Sequence, residues 1–103
     1  MPSSKDYLSF VLDQLSSLHP LSYKAMMGEY VLYYQGKIVG GIYDDRLLVK
    51  PTAAAKRLMP DAPYVTPYDG AKPMLLVEQI DDREFLADLF DATAAELPAP
   101  KKP

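Results

Sequence analysis

Residues 23–50, YKAMMGEYVLYYQGKIVGGIYDDRLLVK, limit the fold more than any other stretch of the chain. They hold four of the five glycines and five of the eight tyrosines. Gln35-Gly36 and Asp44-Asp45 are two-residue turn signals flanked by β-branched and aromatic residues, which marks antiparallel hairpins. Gly28 breaks the run earlier, as a bend or bulge. The stretch therefore reads as a meander with strands at 23–27, 30–34, 37–43 and 46–50. Two-residue turns set Tyr34 opposite Lys37 and Tyr43 opposite Arg46. On that register one face carries Val31, Tyr33, Ile38, Gly40, Ile42, Leu47 and Val49. It is almost wholly apolar and is expected to lie under the helices. The opposite face carries Tyr30, Leu32, Tyr34, Lys37, Val39, Gly41, Tyr43, Arg46, Leu48 and Lys50, and is expected to be partly exposed. A one-residue change in either hairpin would exchange the faces of the strand that follows.

The flanking segments supply helices. Over residues 3–18, Tyr7, Leu8, Val11, Leu12, Leu15 and Leu18 recur at helical spacing, and Ser3 with Asp6 forms a capping-box pattern. Phe10 lies off that stripe. His19-Pro20 closes the segment. Thr52 caps a short helix over 53–59, with Lys56 and Arg57 near its negative end. Residues 61–72 are irregular, with a short edge strand at 64–66. Residues 74–78 read as a strand. Residues 81–97 read as a helix opened by Asp81 and Glu84, with Phe85, Leu86, Leu89, Phe90, Thr93 and Leu97 inward. The domain is expected over 1–97, followed by a disordered Pro/Lys tail over 98–103. The resulting class is α+β, with one antiparallel sheet made of the 23–50 meander and the 74–78 strand. N-terminal, short middle and C-terminal helices pack on it.

Composition excludes several functions. A chain of 103 residues has room for one core. A net charge of −3 argues against broad phosphate-backbone binding. The absence of cysteine removes disulfides and thiolate metal sites. With no signal peptide and no apolar run of spanning length, a soluble cytoplasmic protein without a membrane partner is expected.

Catalytic patterns are missing. The single histidine, His19, sits before a proline, so neither a Ser–His–Asp arrangement nor a histidine metal site can be built. Asp44-Asp45 and Asp81-Asp82 occupy a turn and a helix start, where aspartate is favoured structurally. Met26-Met27 reads as core packing rather than a soft metal site. Gly40-Gly41 lies inside a strand and reads as close backbone packing, not a phosphate loop. No cofactor or metal is implied, and the chain reads as a non-enzyme. The mixed tyrosine, apolar and basic face fits a protein contact better than stacked bases. The candidate partner-binding residues are Tyr30, Leu32, Tyr34, Val39, Tyr43, Arg46 and Leu48, for a protein partner or a homodimer.

The segment Tyr23-Lys24-Ala25-Met26-Met27-Gly28-Glu29-Tyr30, then Tyr34-Gln35-Gly36-Lys37 and Arg46-Leu47-Leu48-Val49-Lys50, resembles the TfoX/Sxy N-terminal domain family. Met27 stands where that family usually has Phe, and Gly40-Gly41 replaces bulkier residues. The resemblance implies an α+β, secretion-chaperone-like order of elements and carries no catalytic residues. It also implies a stand-alone N-terminal domain, without the helical C-terminal domain of the competence regulators for which the family is named. The function expected is a non-catalytic interaction or regulatory module using the outer sheet face. Two alternatives stand beside it. One is an accessory competence-type transcription regulator. The other is a small anion- or ligand-binding protein or enzyme using Arg46, Lys50 and Lys72.

Overall fold

Three consecutive two-residue turns shape the sheet. In a computed structural model that describes residues 3–98, Met27-Gly28, Gln35-Gly36 and Asp44-Asp45 all have positive φ at both positions. That is the type I′ geometry whose twist matches antiparallel strands. Gly28 and Gly36 adopt it without steric cost. The turns join β1 (Leu21–Met26), β2 (Glu29–Tyr34), β3 (Lys37–Ile42) and β4 (Leu47–Val49). Gly28 is thus half of a hairpin turn rather than a bend inside a strand. Met27 stands 98% exposed at that turn and is not a core residue.

The chain then forms α2 (Ala53–Leu58), β5 (Tyr64–Val65) and β6 (Met74–Val77). The helices α1 (Lys5–Gln14) and α3 (Arg83–Ala95) lie at either end. All strand pairs are antiparallel, in one six-stranded sheet of order β1-β2-β3-β4-β6-β5. This is the expected α+β class. The 98–103 tail falls, from residue 99 onward, outside the described residues.

The three helices of the described residues cover the same side of the sheet. Leu8 and Val11 from α1 with its C-cap Leu15, Ala55 from α2, and Leu86, Leu89 and Phe90 from α3 close over Leu32, Tyr34, Val39, Ile42, Leu47, Val49, Leu75 and Val77. Each large side chain buried in this layer contributes roughly 1.5–3 kcal/mol. The expected stripes of α1 and α3 are the buried ones. The caps differ by one residue. Ser4, not Ser3, accepts from the Tyr7 amide, and Asp82, not Asp81, accepts from the Phe85 amide. Ser3 is used elsewhere. Its amide and hydroxyl both donate to Glu29 Oε1, at 2.9 and 2.7 Å, and its hydroxyl accepts from the Asp45 amide at 3.0 Å. Glu29 Oε2 accepts from the Asp44 amide. One carboxylate therefore ties the N-terminal arm to the β3–β4 turn.

The expected faces of β2 are reversed. Tyr34 does pair with Lys37 and Tyr33 with Ile38, but Leu32 pairs with Gly40 and Tyr30 with Ile42. Val39 is the extra residue of a β-bulge, and beyond it the register is displaced by one. Tyr30, Leu32 and Tyr34 consequently share the helix side with Ile42, Leu47 and Val49. Val31, Tyr33 and Ile38 point to the side without helices.

Candidate docking face

The bulge leaves β3 close to its neighbour. A Cβ on Gly40 would stand 2.0 Å from the Leu48 carbonyl oxygen and 2.8 Å from Val49 Cα. No side chain fits there, which accounts for this glycine as close backbone packing. A Cβ on Gly41 would meet the Tyr30 carbonyl oxygen and Tyr43 Cε2, both at 2.6 Å. The Tyr43 ring therefore lies over Gly41, on the helix-free side of the sheet.

Residues 66–73, between β5 and β6, cross the same side. Tyr68 brings its ring within 6.2 Å of the Tyr43 ring at a 49° tilt. Between this connection and the strands lies a groove of about 430 Å³. Met26, Val31, Ile38, Pro67 and Met74 make its apolar walls, and Tyr43, Tyr68, Lys50 and Lys72 add polar ends. Its described lining contains no acidic residue. The side-chain ammonium groups of Lys50 and Lys72 have no hydrogen-bond or ion-pair partner among the described residues. Burial pushes the Tyr43 hydroxyl above the ordinary tyrosine value, and Tyr68, Glu29 and Tyr33 add to the shift. Of the groove walls, Met26 is 46% and Ile38 41% exposed, and beside the groove Tyr33 is half-buried.

The seven residues expected to form one partner surface are divided by this geometry. Leu32 and Val39 are fully buried under the helices. Tyr34 is buried there too, its hydroxyl donating to the Asp91 carboxylate of α3. Tyr30 is half-buried on the same side, edge-on to Tyr23. Tyr43 and Leu48 belong to the helix-free side but are both buried. Arg46 is half-buried and directs its Nε to the Tyr43 carbonyl. The expectation that these residues share an accessible face is corrected by the Val39 bulge. Of the basic residues considered for an anion, Lys50 and Lys72 meet at the groove and Arg46 does not line it.

Residues missed by the sequence reading are Val31, Tyr33 and Ile38, assigned there to the core, and Pro67 and Tyr68. The Gly40-Gly41 pair carried the signal, since glycine inside a strand marks a bulge. Among the described residues no group of three or more His, Cys, Asp or Glu is placed to hold a metal. No helix among them is long and apolar enough to cross a membrane.

Comparison with known proteins places this architecture. Residues 13–96 match the TfoX N-terminal domain. The chain is also 36% identical over 102 residues to the "uncharacterized 12.7 kDa protein in trpE 5′ region" of Spirochaeta aurantia, covering 98% of this chain and 89% of that protein. No solved structure matches the chain.

Proposed function

The chain belongs to the TfoX N-terminal domain family, and on that premise we propose that it is a non-catalytic module that docks a partner protein on the helix-free face of its sheet. One observation carries this reading. Three helices cover a single side of a six-stranded sheet, and the other side retains exposed Met26 and Ile38 with half-buried Tyr33. Exposed apolar side chains grouped with an aromatic ring are the composition of protein contact surfaces. The polar groups outside this face support the same reading. His19 is exposed in the connection between α1 and β1. Asp82 caps α3, and Asp45 accepts from the Ser4 amide at 2.8 Å. Both aspartates have a structural task.

The test uses Tyr33→Lys combined with Lys24→Glu. Both positions lie on the helix-free side by register, and neither lines the groove. Native chain is cross-linked in its own cytoplasm and the partner identified; affinity of the purified pair is then measured. The double variant should lose about tenfold or more in affinity while its circular dichroism and Tm stay at the wild-type values. Retention of full affinity by a folded variant would put the contact on another surface.

A further inference from the structure

We propose that the groove beneath residues 66–73 is a binding site for a small apolar monocarboxylate, whether a medium-length acyl chain or an aromatic acid. The inference goes beyond protein docking, since it requires no macromolecular partner.

The groove has the size and lining of a small-molecule site. Its volume, about 430 Å³, falls in the range of clefts that enclose such ligands. The walls are aliphatic, thioether and proline groups, so the ligand's body must be apolar. The polar ends are all potential donors. Lys50 and Lys72 carry ammonium groups without a partner among the described residues. The Tyr43 hydroxyl has no hydrogen-bond partner among the described residues either. With no acidic residue in the described lining, half-buried Lys50 and exposed Lys72 present two ammonium groups at the groove with no counter-charge among its described lining residues, in a chain whose net charge is −3. A carboxylate supplies the missing charge and accepts from several donors at once. A cationic or neutral amphiphile of the same length would bury the same apolar area and leave these donors unmatched.

The architecture keeps the site formed without ligand. Tyr43 is held over Gly41, where no side chain can displace it, and Tyr68 stands against it from the crossing segment. Tyr68 itself is 58% exposed, so the groove's lining reaches the solvent there.

The experiment follows methyl resonances of Val31, Ile38 and Met74 during titration with octanoate, with 3-phenylpropionate and with octan-1-ol. Tm is measured in parallel, because a ligand that binds only the folded chain raises it. At least one acid should shift these methyls saturably and raise Tm, and which acid does so identifies the shape of the ligand's body. Octan-1-ol should bind about tenfold more weakly than octanoate. Lys50→Gln with Lys72→Gln should weaken acid binding about tenfold, the sum of two partly exposed charge pairs. Tyr33→Lys with Lys24→Glu, at positions that do not line the groove, should change acid binding less than the lysine double variant does while weakening the protein contact, which separates the two readings. The proposal is overturned if neither acid shifts the groove methyls at millimolar concentration. Equal binding of the alcohol, or wild-type binding by the lysine double variant, would overturn it equally.

Discussion

The ring of Tyr43 covers Gly41 so closely that its Cε2 atom lies 2.6 Å from the point where a Gly41 Cβ would stand. The contact links the meander's backbone to the groove, because the same ring packs against Tyr68 in its lining. Gly41→Ala must move both the ring and the Tyr30 carbonyl, which lies at the same distance. We expect a loss of roughly 1–3 kcal/mol in urea denaturation. At Gly40 the obstacles are the backbone atoms of β4, at 2.0 and 2.8 Å, and they cannot rotate away. Gly40→Ala is therefore expected to cost more than Gly41→Ala. The reverse order would contradict the bulge geometry.

Tyr34 joins the sheet to α3 through its hydrogen bond to Asp91. Tyr34→Phe should cost about 1 kcal/mol, at the low end for a charged acceptor because Asp91 is exposed. The variant also has a signature in pH. The bond to Asp91, followed by burial, raises the Tyr34 pKa above the ordinary 10.0. Burial raises Tyr7 and Tyr43 as well. A folded-state pKa above the unfolded value gives stability that is fully present below the unfolded value and lost as pH rises through the folded one. Wild-type stability should thus fall above about pH 10, and Tyr34→Phe should fall less steeply. Equal alkaline slopes for the two proteins would exclude the Asp91 link.

Thr93 is fully buried in α3 with its hydroxyl unpartnered. Valine keeps the shape and removes the unsatisfied group. Thr93→Val should raise stability by about 1 kcal/mol, read from the denaturation midpoint at constant m.

Glu29 accepts from the Ser3 amide, the Ser3 hydroxyl and the Asp44 amide. Glu29→Ala should cost about 2 kcal/mol. Hydrogen exchange should speed up at Ser4 and Asp45, the neighbouring pair of this clasp, while amides in α3 keep their protection. Unchanged exchange at Ser4 would mean that the arm is held by other contacts.

These residues also show how far the sequence could be read. The helix stripes were legible because burial of one side at 3.6-residue spacing is a property of each segment alone. So were the Gln35-Gly36 and Asp44-Asp45 turns. The cap positions slipped by one because adjacent serines and adjacent aspartates offer equivalent local patterns. A tertiary acceptor, Glu29, decided between Ser3 and Ser4. Met27 in a type I′ turn runs against residue preference, so Met27-Gly28 gave no clear turn signal. The largest error came from a single inserted residue. Strand parity carries information only along an unbroken ladder, and the Val39 bulge interrupts it. That insertion moved Leu32 and Tyr34 into the core and brought Tyr33 and Ile38 to the helix-free face. The crossing segment 66–73 was legible only as irregular chain, because its place over the sheet depends on contacts distant in sequence.

The sidedness of β2 and β3 underlies both the docking face and the groove, and the absence of native cysteine makes it directly measurable. Single variants Tyr33→Cys, Ile38→Cys, Leu32→Cys and Val39→Cys can be labelled with a thiol reagent under native conditions. Cysteines at 33 and 38 should react at rates near that of an exposed thiol, and those at 32 and 39 should be protected by orders of magnitude. Fast labelling at 32 and 39 with protection at 33 and 38, in folded variants, is the pattern of an unbulged sheet and would contradict the assignment of this face.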